Sequence, residues 1–293
     1  MKQNSPVAAI ALLLVAAAWG AAFVLMKPAI ASQPFYDFLA TRFTVAVALM
    51  IVVRPTLFRG LNKQFWFRGI VLGALLAMGY ITQTIALEIT TAAITGFLTG
   101  LYVVLTPLLS WIVLRRRVTK KVLWGAILAT IGLGLISITG FGIGLGEIWG
   151  IICAVLFAAH IVGLSVWSTG KNTYALTVIQ LAVVAVLSWI GALPDGYQAP
   201  ENFDVWFAIL FTAIFSTAVG FFVQTWAQSH MDASRVAIIL TTEVVFAAAF
   251  SVAIGQEVLS LKTLIGGVIM VIAMLMVEWP SRKGEPVLVE ALH

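Results

Sequence analysis

The feature that most constrains this chain is a series of apolar runs that follow one another almost without pause. Each is roughly 20 residues long, enough to cross the hydrocarbon core of a bilayer as an α-helix. Lipid offers no partner to backbone N–H and C=O groups, so a spanning segment must be a helix or a strand of a closed barrel. The runs are continuous and do not alternate, which argues against barrel strands. Composition agrees. Hydrophobic residues make up 61% of the chain and charged residues 10%, against about 25% charged in a soluble domain. A length of 293 residues therefore reads as one helical bundle, not as two soluble domains.

The runs predict an all-α integral membrane protein with ten transmembrane helices. The first five are Val7–Met26, Tyr36–Val53, Phe65–Leu87, Ala92–Leu114 and Lys121–Thr139. The second five are Glu147–Trp167, Tyr174–Leu193, Val205–Gln228, Ser234–Ile254 and Lys262–Trp279. The start resembles a signal peptide in its single Lys and apolar run. Val7–Met26 is nevertheless long enough to span and has a matching partner later in the chain, so it is expected to stay as a helix.

Lys and Arg set the orientation. With the N-terminus inside, the cytoplasmic side holds Lys2, Arg54, Arg59, Lys63, Arg68, Arg115, Arg116, Arg117, Lys120, Lys121, Lys171, Arg235, Arg282 and Lys283. The outer side holds Lys27 and Lys262, and Arg42 lies within a span. Both termini, including a short C-terminal tail, are thus expected in the cytoplasm of a cell with this protein in its inner (plasma) membrane. The same bias explains the net charge of +5. It makes Arg115–Lys121 (RRRVTKK) a topology signal and not a nucleic-acid patch. The single Cys153 excludes an intrachain disulfide and a cysteine metal cluster. No metalloprotease, P-loop or hydrolase motif is present, so no catalytic residue, metal or cofactor is expected. The Gly-rich run at Gly140–Glu147 reads as a linker.

A second regularity organises the chain. GYITQTIAL at Gly79–Leu87 returns as GFFVQTWAQ at Gly220–Gln228, 141 positions on. The same offset aligns Ala92 with Ala233, Ser110 with Ser251, Lys121 with Lys262, and Leu123-Trp124-Gly125 with Leu264-Ile265-Gly266. The chain is read as two five-helix units, 1–141 and 142–293. An odd helix number makes the second unit enter the membrane from the opposite side. Such inverted repeats recur in secondary transporters, whose substrate site lies near the midplane between the halves.

The phrases WGAAFVLMK (Trp19–Lys27), RFTVAVAL (Arg42–Leu49) and GFLTGLYVVLTPLLSWIVL (Gly96–Leu114) come from the first half. GEIWGIICAVLFAAH (Gly146–His160) and TEVVFAAAFSVAIGQEVLSLKTLIGGVIM (Thr242–Met270) come from the second. Together, in order, spacing and duplication, they resemble the drug/metabolite transporter superfamily, in particular its EamA-type exporters. The resemblance implies ten helices in two inverted halves and efflux of amino acids or similar metabolites. Two positions depart from the family pattern: Val244 follows Glu243 where members often carry Pro, and Arg116 stands where members often carry Glu, while Glu257 is kept in the second copy.

Candidate substrate-facing residues follow from polarity inside spans. Thr95, Thr99, Tyr102 and Thr106 share one face of the fourth span. A cavity wall is one reading of that stripe, and hydrogen bonding between helices the other. The offset puts Glu243, flanked by Thr241 and Thr242, opposite Tyr102. A carboxylate at the bilayer centre must be protonated, paired or facing water. Trp19 falls on His160; Trp19 and Phe23 share a face, as do Phe157 and His160. A His160–Glu243 pair is expected if either carries protons; otherwise His160 is a satisfied packing residue. Gln83 and Gln224, with Tyr80 and Phe221 one turn deeper, are expected at opposite mouths of one pathway, or as ties to the neighbouring hairpins. Lys27, Asp37, Arg42 and Glu88 are expected to pair at the outer face and fix helix ends there, or else to form an outer gate. Gly69, Gly73 and Ala77, and Gly96 and Gly100, suit close helix packing.

The sequence thus points to a secondary transporter of a small, partly apolar metabolite, amino acids first and aromatic ones among them. A multidrug or lipophilic-compound exporter of the same fold is the alternative. Its partners are the substrate and the lipid bilayer, with no nucleic acid; proton coupling and the choice of monomer or homodimer stay open.

Overall fold

The computed structural model describes residues 6–89, 92–115, 118–137, 144–168, 172–255, 258 and 260–278. Lys2, Arg116, Arg117, Lys171, Glu257, Arg282, Lys283 and residues 140–143 of the Gly-rich linker lie outside them. The described residues form helices joined by turns. In chain order these are α1 (Pro6–Ser32), α2 (Phe35–Val53), α3 (Lys63–Ile89), α4 (Ala92–Gly100), α5 (Tyr102–Leu114), α6 (Lys120–Ser137) and α7 (Leu145–Trp167). Then come α8 (Thr173–Ala192), α9 (Phe203–Phe211), a π-helical segment (Thr212–Val219), α10 (Gly220–His230), α11 (Ala233–Leu240), α12 (Glu243–Ala253) and α13 (Leu261–Glu278).

Seven stretches are long and apolar enough to cross a membrane: α1, α2, α3, α7, α8, Phe203–His230 and Ala233–Ala253. Leu98–Leu114 and Leu261–Val277 are shorter apolar helices. The protein is a multi-pass membrane protein. Its surface fits that solvent: Leu14 is 69% and Phe203 79% exposed, while Thr177, Thr212, Ser216 and Thr217 are fully buried. Lipid tails are as apolar as Leu, so apolar faces gain nothing by turning inward, whereas polar groups do. Thr212 and Thr177 spend their hydroxyls on carbonyls one turn back, Ala208 O and Thr173 O.

The bundle is built from neighbouring pairs: α3 packs on α7 and α8, α2 on α8, α1 on α10 and α12, α5 on α7, and α6 on α13. Glycines permit the close crossings. A Cβ at Gly69 would stand 2.6 Å from Ile179, and one at Gly73 2.7 Å from Val183, both on α8. Around Gly96, by contrast, the space is open.

Three of the expected spans are not uniform α-helices. The fourth turns at Leu101, where Leu101 N–H bonds Leu98 O and Val104 N–H bonds Leu101 O, three residues apart in the 3₁₀ manner. The ninth turns at Thr241–Thr242. There the hydroxyls donate to Ala237 O and Ile239 O at 2.6 Å, competing with the backbone for those carbonyls. The eighth carries the π-helical segment. Tyr102 and Glu243, 141 residues apart, are the first residues after the two turns.

The expected ion pairs at the outer face are not formed among the described residues. Asp37 and Arg42 are five residues apart on α2, about 140° around the helix, so they point apart. Asp37, 2% exposed, accepts instead from Gln198 N at 2.9 Å, in the segment between α8 and α9. That segment is tied to α2 and the turn before it at further points: Gln33 Nε2 donates to Gln198 O at 2.8 Å, and Thr41 and Tyr197 share a hydroxyl contact of 2.8 Å. Lys27 and Glu88 are exposed. Asp37→Ala is expected to cost about 1–2 kcal/mol, seen as a lower melting temperature in detergent. An unchanged melt would show that the strap carries no stability.

Candidate functional site

Small residues let the site's walls approach. A Cβ at Gly20 of α1 would meet Ala247 N and Phe246 Cβ at 2.7 Å and Glu243 O at 2.8 Å. This brings α1 against the start of α12. On the next position, the Trp19 indole Nε1 donates to Ser216 O in the π-helical segment at 2.8 Å. Ser216 Oγ returns a bond to Ala18 O at 3.2 Å. The Trp19 ring lies 5.3 Å from Phe221. It fits there because its neighbour is glycine: a Cβ on Gly220 would stand 2.8 Å from Trp19 Nε1. Gly79 does the same for Phe157, whose ring edge would be 2.4 Å from a Cβ. The glycine of the repeated phrase thus admits an aromatic ring in both of its copies.

The rings continue inward. Tyr80 meets Phe43, Phe157 and Phe221 edge-on, with centroids 5.2, 5.7 and 6.2 Å apart, the preferred geometry for aromatic pairs. Behind this wall lies a cavity lined mostly by apolar and aromatic side chains, as small-molecule pockets are. Helices α1, α2, α3, α5, α7, α10 and α12 all reach it.

Of the residues expected at the site, Trp19, Phe23, Tyr80, Gln83, Thr99, Tyr102, His160, Phe221, Gln224 and Glu243 line this cavity. Thr95 and Thr242 are buried but stand off it. Of the expected polar stripe, Thr99 and Tyr102, on either side of the turn at Leu101, line the cavity, while Thr95 and Thr106, one helical turn farther out on each side, do not. The Thr242 hydroxyl is already spent on Ile239 O. Gln83 and Gln224 line one common cavity. Gln83 Nε2 donates to Thr99 Oγ1 at 3.3 Å. Gln224 is 2% exposed and its Oε1 has no hydrogen-bond partner.

The His160–Glu243 pair is not formed. His160 Nε2 and Gln180 Oε1 are 2.7 Å apart, and Gln180 Nε2 donates to Leu176 O. That orientation of the amide makes the imidazole the donor. His160, on α7, is held by α8 through this one bond, and its partner is a neutral side chain. Glu243, 7% exposed, has the Tyr102 hydroxyl beside its carboxylate, though that hydroxyl is without a hydrogen bond of good geometry.

Arg42 is the functional candidate that the sequence reading assigned elsewhere. It lines the cavity and is 2% exposed. Its Nε donates to Thr217 Oγ1 at 2.8 Å and its Nη1 to Met26 Sδ at 3.0 Å. Its guanidinium carbon lies 5.4 Å from the Phe43 ring centroid and 5.6 Å from that of Tyr80, within cation–π range. These partners are all neutral. The available signal was position: Arg42 starts two turns into α2, about 10 Å along its axis, and a cation at depth in a span marks a functional site. Arg42 and Glu243 are the charged residues on the wall, and neither is paired with the other.

Comparison with known proteins gives a consistent family. The model of the EamA-like transporter family matches residues 6–138 and 144–279. An "uncharacterized transporter" of Archaeoglobus fulgidus is 34% identical over 268 residues, covering 91% of this chain and 84% of that protein. The pseudopaline exporter CntI of Pseudomonas aeruginosa is 25% identical over 256 residues, covering 85% and 88%. A crystal structure shares the fold with a TM-score of 0.79 at 18% identity, covering 92% of this chain and 95% of the other.

Gly79→Ala must drive the Phe157 ring off its seat. The variant is expected to lose about 1–3 kcal/mol of stability by overpacking. Phe157→Leu in the same chain should recover most of that loss, read as a non-additive double-mutant cycle of detergent melting. Additive effects would mean that the two residues do not share this contact.

Proposed function

The chain belongs to the EamA-like transporter family, and on that premise we propose that it exports small amphipathic amino acids, apolar and aromatic ones foremost. The observation that carries this reading is a single cavity with Arg42 and Glu243 on its wall, unpaired with each other, among aromatic rings. A buried charge is stable only when paired. Arg42 has a hydroxyl, a thioether and two ring faces but no anion. A substrate α-carboxylate supplies one, in the bidentate geometry that guanidinium favours. The substrate ammonium turns to Glu243, with the Tyr102 hydroxyl beside it. The side chain packs on the apolar wall beside Arg42, Phe23 and Met26 among it. One cation on the wall suits a monocarboxylate and does not suit a diphosphate.

Transport by alternating access between two inverted halves is part of the same proposal. Several independent features support it. The 141-residue offset pairs Trp19 with His160, Tyr80 with Phe221, Gln83 with Gln224, Thr99 with Leu240, and Tyr102 with Glu243, and all ten line the cavity. Tyr80 and Phe221 touch each other, as expected of equivalent residues beside a two-fold axis. The helix contacts exchange under the offset: α3 on α7 answers α1 on α10, and α5 on α7 answers α1 on α12. The family model matches two successive stretches. Broken helices in corresponding positions of the halves are a recurrent device at transporter sites. Outward direction is supported by the exporter among the relatives. An inner-membrane location with cytoplasmic termini rests on the Lys and Arg asymmetry.

The mostly apolar wall favours a second reading, export of lipophilic compounds without charge recognition. Proteoliposomes containing the full chain separate the two. Labelled L-phenylalanine should exchange and be displaced by L-leucine, but not by dyes or nucleosides. Arg42→Gln should lower that exchange about 100-fold, the scale of truncating one partner of a buried charge contact, with Arg42→Lys between. Dye transport that ignores Arg42→Gln, with no amino acid moved, would establish the second reading.

A further inference from the structure

A second chamber adjoins the central cavity. It lies between α1, α2 and α3. The two spaces share Phe23, Met26 and Gln83, which therefore form the partition between them. Arg42 stands at this partition, because its Nη1 donates to Met26 Sδ at 3.0 Å.

The chamber is apolar by construction. Ile30, Phe38 and Leu87 are among its walls. Its two neutral polar side chains are turned to other partners: Thr84 Oγ1 donates to Tyr80 O at 2.8 Å, and Gln83 Nε2 to Thr99 Oγ1. Lys27 is the charged wall residue; it is exposed, on a stem long enough to carry its ammonium away from apolar surface. Along α1 the chamber runs from Phe23 to Ile30, seven residues or about 10 Å. That exceeds the reach of a phenylalanine or methionine side chain. Met26, unbranched and soft, is a partition that can shift for a guest.

We infer that this chamber is the subsite for the apolar side chain of a substrate whose carboxylate is held by Arg42, so that its depth and not the central cavity sets the upper limit of substrate size. This rests on the amino-acid reading above. It explains why a cation would sit beside a thioether on a shared wall: the contact joins the carboxylate site to the side-chain site.

The test fills the chamber from two sides, with Ile30→Trp on α1 and Leu87→Trp on α3. Both positions are partly exposed and neither lines the central cavity. Exchange of L-phenylalanine and of L-alanine is measured in proteoliposomes for the wild type and both variants. L-phenylalanine exchange is expected to fall at least about 10-fold, and L-alanine exchange to change less than about 2-fold, since lost apolar pocket contacts act on large side chains alone. Parallel changes for the two substrates, or no change for either, in either variant would overturn the chamber assignment. A wild-type protein that exchanges neither amino acid would overturn the amino-acid reading beneath it. One that exchanges both, with variants that fail to discriminate, overturns the chamber alone.

Discussion

The fold rests on one constraint: in lipid, a polar group must find its partner inside the bundle. Threonine and serine hydroxyls meet it locally, by donating to carbonyls one turn back. Longer side chains meet it between helices, as Trp19 does on Ser216 O and His160 on Gln180. Arg42 meets it incompletely. Its Nε and Nη1 each hold one bond, and its charge faces a hydroxyl, a thioether and two aromatic rings. Glu243 is the acidic residue buried on the same cavity wall. The two are not paired with each other, and the remaining wall is largely aromatic and aliphatic. The proposed substrate, with both charges and an apolar body, matches that combination.

The cavity exists because glycine stands where aromatic rings must pass. Gly220 admits Trp19 and Gly79 admits Phe157, so each wall ring is seated on a glycine of the opposite half of the chain. Gly20 lets α1 approach the turn ahead of Glu243. The turns at Leu101 and Thr241–Thr242 then set Tyr102 and Glu243 at the head of new helical segments. A helix start carries unsatisfied N–H groups and favours negative charge nearby, which is the sign of the group that Glu243 provides.

Much of this was legible in the sequence. Continuous apolar runs demanded helices, and the described helices follow the expected spans in order. Polar and aromatic residues inside those runs stood out against their surroundings, and ten of the twelve proposed at the site line the cavity. What was not legible depends on direction and on backbone detail. The helical wheel gives a face and not its extent, so it joined Thr95 and Thr106, one helical turn farther out, to the cavity wall that Thr99 and Tyr102 line. Spacing gives no distance between helices, so the partner of His160 could not be read; α8 supplies Gln180 where Glu243 had been expected. Arg42 looked peripheral because it was grouped with Lys27, Asp37 and Glu88. It belongs with the cavity because its side chain turns away from Asp37 and toward Met26 and Thr217.

Recognition of both charges of one substrate is the central claim, and analogues lacking either charge test it most directly. Competition against labelled L-phenylalanine should be strong for the unlabelled amino acid. It should be weaker by about 10-fold or more for 3-phenylpropionate, which keeps only the carboxylate, and for 2-phenylethylamine, which keeps only the amine. Equal competition by all three would contradict a site read by Arg42 and Glu243 together.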